Sequence, residues 1–183
     1  WGSRGGPESQ EHVLTRAAAH GYTLASLTIS SDWSGMADTI KSIAIQRAYF
    51  LGDPDKFVLV DTFADVERAK LEDKLAIVLH FQGTNPVEGD VKMIEIYHRL
   101  GIRHMLMAYN MKNLVGDGCM ERTDDGLSRF GVALVEAGQV VEFEGCVAHD
   151  HCDAGGDEYD CVEGPDWNTQ DVRANRPIDG VDP

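Results

Sequence analysis

Leu75-Ala76-Ile77-Val78-Leu79-His80-Phe81 is a short, unbroken apolar run that ends on Gln82 and a Gly83-Thr84-Asn85-Pro86 loop. A run of this length, bounded by turn residues and apolar at consecutive positions, reads as a strand buried on both faces. Strands of that kind belong to parallel sheets covered by crossover helices. The segments on either side agree. Residues 9–20 read as a helix with Val13, Leu14, Ala17 and Ala18 on one face, stopped by Gly21. Residues 23–29 read as a strand. A second helix presents Ile40, Ile43, Ala44, Ala48 and Leu51, and Gly52 and Pro54 end it. Residues 56–61 read as another strand. Thr62 and Asp65 have the spacing of a helix-start capping pair.

Beyond the central run, Met93, Ile96, Tyr97 and Leu100 mark a helix closed by Gly101, and residues 102–109 a strand. Residues 110–125 form a long polar loop. Leu127, Phe130, Gly131, Leu134 and Val135 mark a last helix, and Gln139 to Phe143 a final strand. The alternation predicts an α/β fold with a parallel sheet, and a (β/α) barrel or an open doubly wound sheet both satisfy it. No glycine-rich phosphate loop follows any strand, which weakens a nucleotide-binding reading.

The chain has 183 residues and a formal net charge of −15. That charge argues against nucleic acid and anionic membrane surfaces as partners. No apolar run approaches the roughly 18 residues of a membrane span. The four cysteines are too unevenly placed for a disulfide framework, which makes a reducing, cytoplasmic location the default. The segment from Glu144 onward holds 11 acidic residues against Arg173 and Arg176, and has no periodic pattern. The expected organisation is a linker over 1–8, a partial barrel over 9–143 and an acidic irregular tail over 144–183. The opening residues from Trp1 carry neither an initiator Met nor a signal core, so residues upstream are expected to be missing.

A longer ordered series carries a family resemblance. After Gln82-Gly83-Thr84-Asn85-Pro86 come Tyr97-His98-Arg99-Leu100-Gly101-Ile102-Arg103, then Ala108-Tyr109-Asn110-Met111-Lys112-Asn113. Gly116-Asp117-Gly118-Cys119 and Asp125-Gly126-Leu127-Ser128-Arg129-Phe130-Gly131 follow. This series resembles the bacterial branch of the membrane (renal) dipeptidase family of zinc peptidases, over about residues 9–136. The resemblance implies a partial barrel of the metal-dependent hydrolase type with about five of its eight strands. It also implies a dipeptide substrate and a zinc-activated water. It places Gln82 at a catalytic position where the family carries a bridging Glu, and a neutral amide cannot bridge two cations as a carboxylate does. It places Tyr109 and Asn110 at substrate-binding positions, Tyr109 as a donor to a carbonyl oxygen.

The family's His-x-Asp strand and its later Asp-x-Ser-His strand are not matched. Near the second of these the chain reads Val140-Val141-Glu142-Phe143-Glu144-Gly145, as a shifted reading frame or a wrongly joined fragment would. The chain itself is therefore expected to be incomplete or inactive. A different amidohydrolase-like barrel, a lactonase or deaminase, is a weaker option.

Other residues have plainer readings beside these. His98 and His104 read as structural, His80 could face either layer of the sheet, and Asn110 and Asn113 read as shaping their loop in preference to touching substrate. In the tail, Cys146, His149, His151 and Cys152 offer zinc-type ligands, tighter in spacing than a ribbon or finger. They support an alternative function, a non-catalytic acidic module that holds a metal. A five-strand arc also leaves two open edges and an inner layer, Val78 included, facing nothing. At about 25 cal/mol per Å2, a few hundred Å2 of such surface costs on the order of 5–10 kcal/mol. Self-association, including a homo-oligomer, is the expected result.

Overall fold

The computed structural model describes residues 7–140 and 144–146, with side chains over 10–139. Its helices are α1 Pro7–Ala19, α2 Met36–Leu51, α3 Phe63–Leu71, α4 Met93–Arg99 and α5 Arg129–Val140. Its strands are β1 Leu24–Ser31, β2 Phe57–Leu59, β3 Leu75–Gln82, β4 Ile102–Leu106 and β5 Glu144–Cys146. All strand pairs are parallel, in the order β1-β3-β4-β5. β2 pairs with the first half of β3, Phe57 beside Leu75 and Leu59 beside Ile77. β4 takes the same edge of β3 further along, Leu79 beside Ile102 and Phe81 beside Met105. The 56–61 run is thus a short strand tucked under β4, and not a full member of the arc.

β3 is central because it is apolar on both faces. Leu75, Ile77, Leu79 and Phe81 are at most 1% exposed. They pack with Leu14 of α1, Ile43 and Phe50 of α2, Ile94 and Tyr97 of α4 and Leu134 of α5. The Phe81 and Tyr97 rings meet edge to face at 4.8 Å. The Tyr97 hydroxyl donates to the Pro86 carbonyl at 2.8 Å and holds the turn after β3. Burial, with Glu88 nearby, pushes this phenol up to about 12.

The opposite face of β3 divides in two. Ala76 and Val78 are buried with Val58 and Val60 from the β2 segment and Val66 and Ala69 of α3. Above them His80 and Gln82 are half-buried. This corrects the expectation that Val78 faces nothing. α3 crosses to that side of the sheet and covers the apolar half, so only the polar half stays open. α3 itself starts on the predicted pair. Asp65 Oδ2 accepts from the Thr62 N–H at 2.8 Å and the Asp61 N–H at 3.0 Å, and Arg68 lies 2.6 Å from its other oxygen. Burial alone would raise the Asp65 carboxyl, but Arg68 and these donors outweigh it and hold it at about 2.

Three further readings need correction. Gln139 and Val140 are helical, since Gly131, Leu134 and Gly138 are buried at spacings of three and four and carry α5 past the expected stop. The final strand is β5, at Glu144–Cys146. In α2 the buried residues are Thr39, Ile43 and Phe50, while Ile40 and Leu51 are exposed. The Thr39 hydroxyl pairs with the buried Ser30 hydroxyl at 2.6 Å, and Phe50 packs edge-on against Phe57 at 5.2 Å. These contacts turn the helix about one residue away from its apolar stripe. In α4, Ile94 and not Ile96 joins Tyr97 in the core.

Candidate active site at the strand ends

In barrels and open parallel sheets alike, chemistry sits where the strands end, because loops there bring side chains together. β1 ends on Ser31 and continues to Asp32 and Trp33. β3 ends on Gln82, which lies beside Ser31 in register. β4 runs on through Met107 to Tyr109. One carboxylate ties the three ends. Asp32 Oδ1 accepts from the Thr84 N–H at 2.9 Å, the Asn85 N–H at 3.2 Å and Asn113 Nδ2 at 3.1 Å. Asn85 Nδ2 donates back to the Asp32 carbonyl. Thr84 Oγ1 donates to the Met107 carbonyl at 2.9 Å, and Asn113 Nδ2 reaches that carbonyl at 2.8 Å. Asn113 Oδ1 then accepts from the Val115 and Gly116 N–H groups at 2.8 and 3.2 Å.

Gly83 has φ +142°, and a Cβ there would overlap the Asp32 carboxylate. Only glycine gives the loop this close an approach. Asn113 therefore does shape its loop, while Asp32 and Thr84 were not singled out from the sequence. An acid directly after a strand and a glycine directly after Gln82 were the available signals.

Gln82 is half-buried on the same face as His80, and its amide makes no hydrogen bond among the described residues. Tyr109 is half-buried, with its carbonyl accepting from the Cys119 N–H at 2.8 Å. Asn110 Oδ1 accepts from the Cys119 thiol at 3.5 Å, and its carbonyl accepts from the Met120 N–H at 2.9 Å. Tyr109 and Asn110 thus sit on one arm of a loop pinned to residues 118–120. All three predicted residues share one end of the sheet, with no hydrogen bond between Gln82 and the other two. Cys146 lies in β5 beside Leu106, and its side chain is outside the described residues, as are His149, His151 and Cys152.

One layer below Gln82 lies a second polar group. The His80 and His104 rings stack at 4.4 Å and 16°. His80 Nδ1 meets Ser26 Oγ at 2.8 Å, and its Nε2 meets Thr28 Oγ1 at 2.7 Å. His104 Nε2 lies 3.4 Å from the same Ser26 oxygen. Burial pushes both imidazoles down to about 4, for His80 with help from His104. Both rings are neutral at pH 7. Register breaks at Thr28/Ser30 and Leu79/His80 flank this layer. They are irregularities that sequence periodicity does not reveal, and His104, read as structural, belongs here.

A parallel arc with α1, α2, α4 and α5 on one face, α3 on the other and polar side chains gathered where its strands end is a segment of a (β/α) barrel. A model of the membrane dipeptidase family (peptidase family M19) matches residues 14–139, and the chain belongs to that family. It is similar to an amidohydrolase from Pseudomonas aeruginosa, at 31% identity and a TM-score of 0.71, over 76% of this chain and 42% of that one. The probable dipeptidase PvdM of the same organism shares the fold at 20% identity and a TM-score of 0.61, over 74% of this chain and 39% of its own. An uncharacterized dipeptidase of Schizosaccharomyces pombe is 23% identical over 108 residues, which is 58% of this chain and 26% of that protein. The chain thus spans under half the length of each of these.

The metal implied by the family can be tested against the donors present. Among the described residues, no three His, Cys, Asp or Glu side chains come together as a metal cage. Gln82 is a neutral amide, and the inner oxygen of Asp32 is taken by three N–H donors. The described strand ends therefore do not fit a family-type metal centre.

Proposed function

We propose that this chain is a segment of a dipeptide hydrolase and forms the substrate-facing wall of its site without being active alone. The observation that carries this is the Asp32 latch, which locks the ends of β1, β3 and β4 together around Gln82. Such rigidity suits a site that positions a small substrate. In this reading the Gln82 amide orients the substrate by hydrogen bonds, donating through Nε2 and accepting through Oε1. The Tyr109 hydroxyl donates to the substrate carbonyl as negative charge develops on its oxygen. Asn110, on the same loop arm, binds the peptide ends. Metal dependence, zinc by family resemblance, would rest on ligands outside the described residues.

The test is hydrolysis of a panel of unblocked dipeptides, with added zinc and with chelator, by this chain and by a version extended at both ends. Silence from this chain and chelator-sensitive turnover by the longer one are the expected results. Turnover by this chain alone would refute its incompleteness, and chelator-resistant turnover would refute the metal. No turnover of any dipeptide by a folded, zinc-loaded longer protein would refute the substrate class.

A further inference from the structure

We propose that Glu88 is a positioning residue for the strand-end site, because its carboxylate caps α2 from the loop that follows Gln82 and so completes a reciprocal clamp with Asp32. The clamp stands on geometry alone, and only its effect on turnover rests on the dipeptide hydrolase reading. Two loops meet at this end of the sheet, residues 32–35 after β1 and residues 83–92 after β3. The second carries a single 3-10 turn, Asn85–Val87, whose opening N–H groups at Thr84 and Asn85 are held by Asp32 Oδ1. The return contact comes from the far end of that turn. Glu88 Oε1 accepts from the N–H of Met36, the first residue of α2, at 3.1 Å. Each loop thus supplies the acceptor for a helical start on the other.

Local sequence explains why α2 depends on a distant cap. Its N-cap position is Gly35, which has no side chain to offer the N–H groups of the first turn. The Glu88 carboxylate also lies at the positive end of the α2 dipole, where a negative charge is favoured. Glu88 reaches it from a left-handed backbone, φ 51° and ψ 33°, a conformation that glycine adopts at less cost. A glutamate therefore holds a place that local backbone preference would give to glycine, and the contact with α2 is what that strain secures. Between the two carboxylates the loop is fixed by the Tyr97 hydroxyl on the Pro86 carbonyl. The stretch from Gln82 to Glu88 thus has anchors near its start, middle and end. Gln82 lies beside Ser31 in register, one residue before Asp32, so a slip of one loop past the other displaces the Gln82 amide.

Amide hydrogen exchange on the isotopically labelled full chain tests the clamp. Glu88→Ala should speed exchange at Met36 by about fivefold, the scale of a lost helix cap. It should also speed Thr84 and Asn85 on the far side of the loop, which a purely local cap would leave unchanged. Glu88→Gly removes the carboxylate and relieves the left-handed backbone, so it should loosen the same amides in a chain at least as well folded as the Ala variant. Glu88→Gln keeps an acceptor oxygen and should restore all three. Faster exchange at Met36 alone, in both the Ala and Gly variants, would overturn the proposal. In the version extended at both ends, Glu88→Gly should lower kcat for dipeptides by about threefold to tenfold, with a smaller change in KM, short of the roughly hundredfold that a misplacement of about 1 Å can cost. Unchanged kcat in that variant would overturn the positioning role. No turnover by the extended parent would refute the hydrolase reading instead, and exchange at Thr84 and Asn85 would then decide the clamp by itself.

Discussion

Replacing Gly83 with Ala probes the latch at its tightest point. Two costs arise. An Ala at φ +142° sits in a region that side chains avoid, worth about 1–3 kcal/mol. The new Cβ also displaces the Asp32 carboxylate and breaks its bonds to Thr84, Asn85 and Asn113, at 2.9, 3.2 and 3.1 Å. Each is charge-assisted but partly open to water, so about 1 kcal/mol apiece is appropriate and about 3 kcal/mol in all. Gly83→Ala should therefore cost about 4–6 kcal/mol. Asp32→Ala alone should cost about 3 kcal/mol. The double variant has no carboxylate left to displace and should cost only about 4–6 kcal/mol again. The two substitutions should thus couple by about 3 kcal/mol in a double-mutant cycle. Urea unfolding at pH 7.5, with unchanged slope, measures it. Additivity within about 0.5 kcal/mol would show that the carboxylate does not lie against Gly83, and would refute the latch.

Acid should act in two windows. The His80 and His104 pKa values are lowered to about 4, so their contribution is complete above about 6.5, where unfolded histidine is neutral, and fades as pH falls toward 4. It amounts to on the order of 3 kcal/mol per ring at most, and a urea midpoint that stays flat between pH 7 and 4.5 would refute it. Asp65, held at about 2, should weaken α3 only below pH 4, seen as an added slope that Asp65→Asn removes. Leu79→Ala, at a fully buried position of β3, should cost about 2–5 kcal/mol in the same unfolding assay. Asn113→Ala should cost about 2–3 kcal/mol and expose residues 110–128 to limited proteolysis, since five hydrogen bonds depend on that one amide.

The apolar run at 75–81 placed the sheet because burial on both faces leaves an unambiguous mark on sequence. The helix starts were also legible, since Asp65 acts through a fixed three-residue spacing. What was not legible depends on partners far along the chain. The rotation of α2 follows from a hydroxyl pair between Ser30 and Thr39 and from an aromatic contact with Phe57. The covering of Val78 depends on α3 crossing to the inner face, which a helical period cannot signal. At the site, Gln82, Tyr109 and Asn110 stood out through a family motif. Asp32 and Ser26 did not, because a single acid or serine acquires meaning only when the fold sets it beside Gly83 or between two imidazoles.

The β1–β3 pairing also has a consequence for synthesis. Thr28 and His80 are neighbours in the sheet yet lie 52 positions apart in the chain. A ribosome adding about 5–20 residues per second needs about 3–10 s to cover that distance. Throughout that interval β1 has left the exit tunnel ahead of its only described strand partner. Leu27 and Ile29 then have no sheet to join, and loop closure has to precede any gain from pairing. Slow translation between residues 31 and 75 would lengthen this wait, and a chaperone that binds short apolar strands would find its target there first.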